Sequence, residues 1–208
     1  MKKAMFNLLH LYAQIDFMVM EACGAKIKDA PDLESKLLLA QQVEEERRHF
    51  MLQQEFLEKA GHPYQERIPA SLRDELMEYF TGLGWLEFLA GVQLGVEGIG
   101  IQAVKRVYEA HPEVREALEI PIREEERQIR FGLSQIRKAL EGADEEERER
   151  IRERIKGMVA EVTKIYGRLP LPVPRWFEEV GLKYDELREW IWQEAQREIF
   201  DQLGINAR

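Results

Sequence analysis

Residues 42–49 read Gln-Val-Glu-Glu-Glu-Arg-Arg-His, and residues 124–128 read Glu-Glu-Glu-Arg-Gln. The first stretch contains Glu46-x-x-His49, and the second is a near-copy in which Gln128 stands where a histidine would. On an α-helix, side chains three residues apart point to the same side, so a carboxylate and an imidazole at this spacing can share a metal ion. Two such motifs on separate helices, with one acid from each of two further helices, form the dinuclear carboxylate site of a four-helix bundle. The spacing therefore predicts such a bundle, with one ligand altered.

The rest of the chain also has the pattern of helices. No stretch alternates apolar and polar residues over the length of a strand, and Asn-Gly and Asp-Gly turns do not occur. Prolines, glycines and capping residues predict helices over about 4–28, 31–60, 71–79, 85–110 and 112–141, another after residue 144, and a last one over about 185–204. The short links favour antiparallel pairs, with residues 61–84 as a crossover between them. We expect one all-α domain over residues 1–208, a four-helix bundle with additional C-terminal helices.

Three local patterns give more detailed expectations. Ser71 followed by Asp74 resembles a capping box at the start of a short helix. Pro170, Pro172 and Pro174 predict an extended connector. The third long helix carries Gly91, Gly95, Gly98 and Gly100. Because glycine lowers the stability of a helix, we expect these positions to permit the close approach of a neighbouring helix.

Composition excludes several classes of function. The chain has 208 residues and a formal net charge of -9, which disfavours nucleic acid and anionic membranes as partners because both require a basic face. No apolar run is long enough to cross a bilayer. Cys23 is the only cysteine, so no disulfide can form within the chain, and we read no signal peptide. We therefore expect a cytoplasmic protein.

Two further acids stand in apolar surroundings. Asp16 lies within Tyr12–Met20, and Glu97 lies within the glycine-rich stretch of the third helix. An isolated carboxylate buried there would cost several kcal/mol or become protonated, and a shared cation removes that cost. The alternative is that these acids face water or pair with an arginine.

One acid per helix is the arrangement that a metal site in a bundle requires. We predict the metal ligands Asp16, Glu46, His49, Glu97, Glu125 and Gln128. Four carboxylates would be neutralised by two divalent cations, and this ligand set suits Fe, Mn or Zn. We also expect contacts to these ligands from Gln42, Gln53 and Gln93, and a position near the metal for Tyr12.

Gln128 leaves three interpretations open. Its amide oxygen is a neutral and weaker ligand than imidazole, but it could still hold a metal together with water. It could instead hydrogen-bond a carboxylate in a site that binds one metal. In the third interpretation the site is vestigial and binds none.

These residues resemble the ferritin-like superfamily, and within it the phenylacetate catabolic family, whose catalytic member is the epoxidase subunit that acts on phenylacetyl-CoA. The resemblance lies in residues 30–49, 96–98 and 123–132, with Asp16 placed 30 residues before Glu46. It covers about residues 10–135 of the chain.

The resemblance implies a di-iron or di-manganese oxidoreductase that activates oxygen, takes electrons from a partner reductase and acts on an acyl-CoA or related organic substrate. It also allows a partner subunit, and we expect a homodimer. Gln128 departs from the family pattern, in which a histidine ligand stands at this position. The same family contains a non-catalytic subunit with a decayed metal site, so a structural role is the alternative. Metal storage or peroxide detoxification is a further one.

Overall fold

The computed structural model describes residues 1–207, which form helices and no β-strand. The helices are α1 (Lys3–Lys26), α2 (Leu33–Lys59), α3 (Ala70–Gly82), α4 (Trp85–Phe88), α5 (Ile99–Ala110), α6 (Arg115–Glu141), α7 (Glu145–Arg168), α8 (Val173–Val180) and α9 (Tyr184–Ala195). A π-helical segment, Leu89–Gly98, joins α4 to α5, and a second one, Gln196–Phe200, continues α9. The prediction of an all-α helical bundle is confirmed.

None of the helices in the described part of the chain combines the length and the apolar character needed to cross a membrane.

Four long helices form the bundle: α1, α2, the continuous helix made of α4, the π segment and α5, and α6. Arg48 of α2 contacts Glu124, and Gln42, earlier in α2, contacts Gln128, later in α6, so these two helices are antiparallel. The third helix is also antiparallel to α6, because Lys105 contacts Glu126 while Gln93 packs on a glycine further along α6. The second and third helices therefore run parallel, and the chain connects them through α3. This connection is the predicted crossover.

The glycines of the third helix lie where neighbours approach it closely. A Cβ at Gly95 would lie 3.1 Å from Val162 of α7, and one at Gly91 would lie 3.2 Å from Phe80 of α3. A Cβ at Gly98 would lie 2.5 Å from Ile199 Cδ1. The expectation of close approach is thus confirmed for these three positions. They fall within the π segment, which is longer than the single turn that is usual for this conformation.

Two local expectations are wrong. Pro174 does not continue an extended connector, because α8 starts at Val173 and the proline occupies its first turn, where its missing N–H has no helical partner. The Ser71 capping box is not formed either, since α3 begins one residue earlier and has no side-chain cap. Asp144, by contrast, caps α7 by accepting a hydrogen bond of 2.9 Å from the backbone N–H of Glu147.

His10 of α1 is a buried histidine away from the motifs, with only 2% of its surface exposed. Its Nδ1 accepts a hydrogen bond of 3.3 Å from the backbone N–H of Gln65. Burial, together with the nearby Arg67 and His62, lowers the pKa of His10 from 6.5 to about 4. In the folded protein the ring of His10 is therefore neutral at pH values above about 4. Below pH 6.5 the unfolded chain takes up a proton that the folded one does not, so His10 reduces stability as the pH falls from 6.5 towards 4.

We predict that His10→Asn makes the protein less sensitive to acid, because asparagine retains an acceptor for the Gln65 N–H and does not titrate. Urea denaturation at pH 7 and pH 5 should show a smaller loss of unfolding free energy in the variant than in the wild type. His111→Asn, at a partly exposed histidine, is the matched control and should lose as much as the wild type. Equal losses in all three proteins would contradict the prediction.

Candidate metal centre

Three of the predicted ligands converge inside the bundle. Asp16 of α1 and Glu46 and His49 of α2 each offer a ligand atom, and these atoms lie within 4.8 Å of one another. Glu46 and His49 are fully buried, and Asp16 is 6% exposed. As predicted, the helical spacing of Glu46 and His49 places both side chains on the same side of α2, and they face the interior of the bundle. Two carboxylates and an imidazole form a set of ligands that suits a divalent metal ion.

The two remaining predicted acids are also buried nearby. Glu97 comes from the π segment and Glu125 from α6, and each is 5% exposed. The charges of Glu97 and Glu46 interact, and the charge of Glu125 interacts with those of Glu97, Asp16 and Glu46. The four helices of the bundle thus each contribute one carboxylate to the same interior region. The alternative that Asp16 and Glu97 face water is wrong.

Burial raises the pKa of all four carboxyl groups. For Glu46 the pKa rises to about 8, mainly because of burial and despite the nearby amides of Gln128 and Gln42. For Asp16 the rise comes from burial and then from the charges of Glu46 and Glu97, and a hydrogen bond from Gln53 offsets part of it. Without a cation, the interior therefore retains protons near neutral pH. A bound divalent ion would replace them.

Several buried polar atoms have no hydrogen-bond partner among residues 1–207. They are Glu46 Oε1, Glu97 Oε1, Gln53 Oε1 and the hydroxyl of Tyr12. Buried oxygens in folded proteins are nearly always paired, so an unpaired group of this kind requires a physical explanation. Carboxylate oxygens are ligands for Fe(II) and Mn(II), and a metal ion beside Asp16, Glu46 and His49 would provide the missing partner for the oxygen of Glu46. The residues present therefore fit a metal.

The ring of His49 is held in one orientation by two carboxylates. Its Nδ1 lies 3.2 Å from Glu46 Oε2, and its Nε2 lies 3.0 Å from Glu124 Oε2. Both oxygens of Glu124 also accept hydrogen bonds of 3.0 Å from Arg48. With Nε2–H donating to Glu124, the lone pair of Nδ1 remains available at the cluster. This carboxylate–histidine pairing is typical of metal-binding histidines.

Glu124 was not among the residues predicted from the sequence. Its only signal there is its position directly before Glu125 in the second motif. The predicted glutamine contacts are confirmed for Gln53, whose Nε2 donates to Asp16 Oδ2 at 2.7 Å, and for Gln42, whose Nε2 donates to Gln128 Oε1 at 3.2 Å. Gln93 instead donates to Gln42.

Both ends of the Gln128 amide are engaged by protein groups. Its Nε2 donates to Glu45 Oε2 at 3.2 Å, and its Oε1 accepts a hydrogen bond of 3.2 Å from Gln42. The oxygen of Gln42 in turn accepts a hydrogen bond of 2.6 Å from Gln93, and Arg127 forms an ion pair with Glu45. Of the three interpretations of Gln128, hydrogen bonding to a carboxylate is the arrangement observed. The carboxylate is Glu45, which is not one of the predicted ligands.

The sequence matches no protein-family model, and no curated protein matches it. The resemblance to the ferritin-like superfamily therefore rests on the motifs.

We predict that Asp16→Asn stabilises the metal-free protein, because it removes an acid whose pKa is raised by burial and by the charges of two other acids. The expected gain is about 1 kcal/mol in unfolding free energy, equivalent to about 2–4 °C in Tm for a chain of this size. Differential scanning calorimetry in EDTA measures it, with the exposed Glu119→Gln of α6 as the control that should show no gain. A loss of stability in the Asp16 variant would contradict the role assigned to this acid.

We predict that Glu124→Gln weakens metal binding about 10-fold, because the His49 ring loses the carboxylate that orients it. Isothermal titration with Mn(II) measures the affinity. Glu45→Gln is the matched control, since Glu45 makes the equivalent contact to Gln128 instead of His49, and it should leave the affinity nearly unchanged. Equal effects of the two substitutions would show that Glu124 has no specific role.

Proposed function

We propose that this protein is a metal-dependent oxidoreductase of the ferritin-like type that binds Fe or Mn. The observation that carries the proposal is the buried group of Asp16, Glu46 and His49, with unpaired oxygens on Glu46 and Glu97 beside it. A purely structural bundle would gain stability from replacing buried acids with apolar residues, so their presence favours a bound cation.

The side chains at this site have distinct roles. Asp16, Glu46 and His49 would hold the metal, Gln53 orients Asp16, and Glu124 orients His49. Oxygen and nitrogen ligands favour Fe or Mn over the metals that prefer thiolates. When bound, such a metal supplies one-electron redox chemistry and activation of oxygen. The resemblance implies that the electrons come from a partner reductase.

An apolar cavity supports the proposal that the substrate is an organic molecule. It has a volume of about 50 Å³ and lies between α1, α3, the π segment and α7. Its lining is apolar except for the phenol of Tyr166, and it includes Ile15 and Val96, the direct sequence neighbours of Asp16 and Glu97. The Tyr166 hydroxyl donates to the backbone oxygen of Val96 at 3.3 Å. The volume is smaller than the roughly 150 Å³ of a cavity that admits benzene, so only a small apolar group fits without movement of side chains.

The same lining restricts which part of an acyl-CoA could bind in the cavity. Within the part of the chain that the structure describes, no lysine or arginine lines the cavity, so nothing there would pair with the phosphates of CoA. The cavity supports binding of a hydrocarbon part of a substrate, and an acyl-CoA would have to place its phosphates elsewhere.

The alternative is a non-catalytic subunit that pairs with an active homologue. The engaged amide of Gln128 favours it, because this residue stands where the family resemblance places a ligand. The two proposals differ in one measurable property: only the first requires a metal.

We predict that protein purified without chelators, or reconstituted anaerobically, contains about one equivalent or more of Fe or Mn, and that EDTA lowers its Tm by about 5 °C or more. Inductively coupled plasma mass spectrometry and calorimetry make these measurements. The double variant Glu46→Ala/His49→Ala should lose both properties, while His111→Ala should keep them. Less than about 0.2 equivalents of Fe, Mn and Zn after reconstitution would refute the proposal and favour the structural subunit.

The redox role is then tested on the Fe(II)-loaded protein. Exposure to oxygen should oxidise the bound iron faster than free Fe(II) in the same buffer, as followed by near-ultraviolet absorption. Bound iron that stays ferrous in air would leave metal binding standing but would refute an oxygen-activating oxidoreductase.

A further inference from the structure

The helices α2 and α6 carry the same five-residue pattern. Residues 45–49 read Glu-Glu-Arg-Arg-His and residues 124–128 read Glu-Glu-Glu-Arg-Gln, so both have the form Glu-Glu-x-Arg followed by a histidine or a glutamine. The second residue of each pattern is a buried acid, Glu46 or Glu125. The two stretches differ in chemical type at the third residue and at the last.

The contacts between the two patterns are reciprocal. The first glutamate of each pattern contacts the last residue of the other: Glu124 lies 3.0 Å from His49 Nε2, and Glu45 accepts a hydrogen bond of 3.2 Å from Gln128. The arginine of each pattern pairs with the first glutamate of the other, Arg48 with Glu124 and Arg127 with Glu45. An approximate two-fold relation therefore exchanges α2 with α6, and the site has two equivalent halves.

The two halves differ in the partner of the ligand atom. On the side of His49, Nε2 faces Glu124, and Nδ1 lies 3.2 Å from Glu46 Oε2, a carboxylate that is itself a predicted metal ligand, so a metal bound to both atoms would replace this contact. Within the Gln128 side chain, the amide oxygen is the only atom that could bind a metal. Gln42 donates a hydrogen bond to this oxygen. The residue of α6 that corresponds to Gln42 is Pro121, which has no side-chain donor, so His49 has no equivalent of this contact.

We propose that this protein binds a single metal ion, in the half formed by His49, and that the hydrogen-bonded chain from Gln93 through Gln42 to Gln128 closes the other half. Because Glu45, Arg127 and Glu125 are all present there, a single substitution, Gln128→His, opens a second metal position. The proposal rests on the proposed function, since it assumes that the first half binds a metal.

Four chains that differ only at the two equivalent positions test this proposal. We expect about one metal per chain for the wild type and about two for Gln128→His. His49→Gln should bind its metal more weakly, because an amide oxygen is a weaker ligand than imidazole, and the exchanged double variant His49→Gln/Gln128→His should bind about one metal tightly. Mn(II) is the probe, its stoichiometry measured by mass spectrometry after equilibrium dialysis. Electron paramagnetic resonance should show isolated Mn(II) in the wild type and spin-coupled Mn(II) in Gln128→His. Circular dichroism confirms that each variant folds.

The outcomes separate the two proposals. Two metals or a coupled spectrum in the wild type would overturn the single-metal proposal and leave the proposal of metal binding intact. Because this measurement uses only the wild type, it tests the single-metal proposal even if a variant fails to fold. A folded Gln128→His protein that still binds one metal would also overturn it. A wild type that binds no metal would refute the proposed function itself.

Discussion

Four carboxylates within one helical bundle impose the constraint on which the rest of the structure depends. Asp16, Glu46, Glu97 and Glu125 are each at most 6% exposed, and each comes from a different helix of the bundle. Burial penalises their charged forms, and their mutual repulsion adds to the cost, so the interior must contain either protons or a cation. The polar side chains around them, such as Gln53 at Asp16, offset only part of this cost. The arrangement is therefore one that could hold a metal ion.

The third helix accommodates this interior through an unusual backbone. Glu97 lies in a π-helical segment. The helix α7 packs against the same segment at glycines, whose lack of a side chain leaves room for it. The close approach of Val162 to Gly95 makes α7 a fifth helix that covers the bundle next to the acids. Helices of the π type are often found at functional sites, and here one presents an acid to the interior on one side and glycines to a neighbour on the other.

The pairing of α2 with α6 connects the acids to the surface. Arg48 and Arg127 are partly exposed, and each holds a glutamate that contacts a side chain of the site. The charge of each arginine is thus coupled to the orientation of His49 or Gln128 through one intervening carboxylate. The two halves share one arrangement and differ in one side chain. In one half the imidazole Nδ1 of His49 faces Glu46, a candidate metal ligand, and in the other the amide oxygen of Gln128 accepts a hydrogen bond from Gln42.

The sequence by itself determined the long helices and the candidate ligands, because both depend on local spacing. Apolar periodicity and capping residues act within a few residues, and the convergence of Glu46 with His49 follows from one helical turn. The buried environment of Asp16 and Glu97 could be inferred because apolar residues surround them in the chain.

Only the tertiary structure decided which groups contact those ligands. The Glu124–His49 and Glu45–Gln128 contacts join residues 75 and 83 positions apart, and no local pattern specifies such pairs. The short helix α8 likewise depends on packing, since eight residues do not form a stable helix alone and its Trp176, Phe177 and Val180 are buried in the folded chain. The role of Gln128 could not be predicted from the sequence for the same reason. An amide can bind a metal or hydrogen-bond a neighbouring side chain, and the side chains that pack against it in the fold determine which.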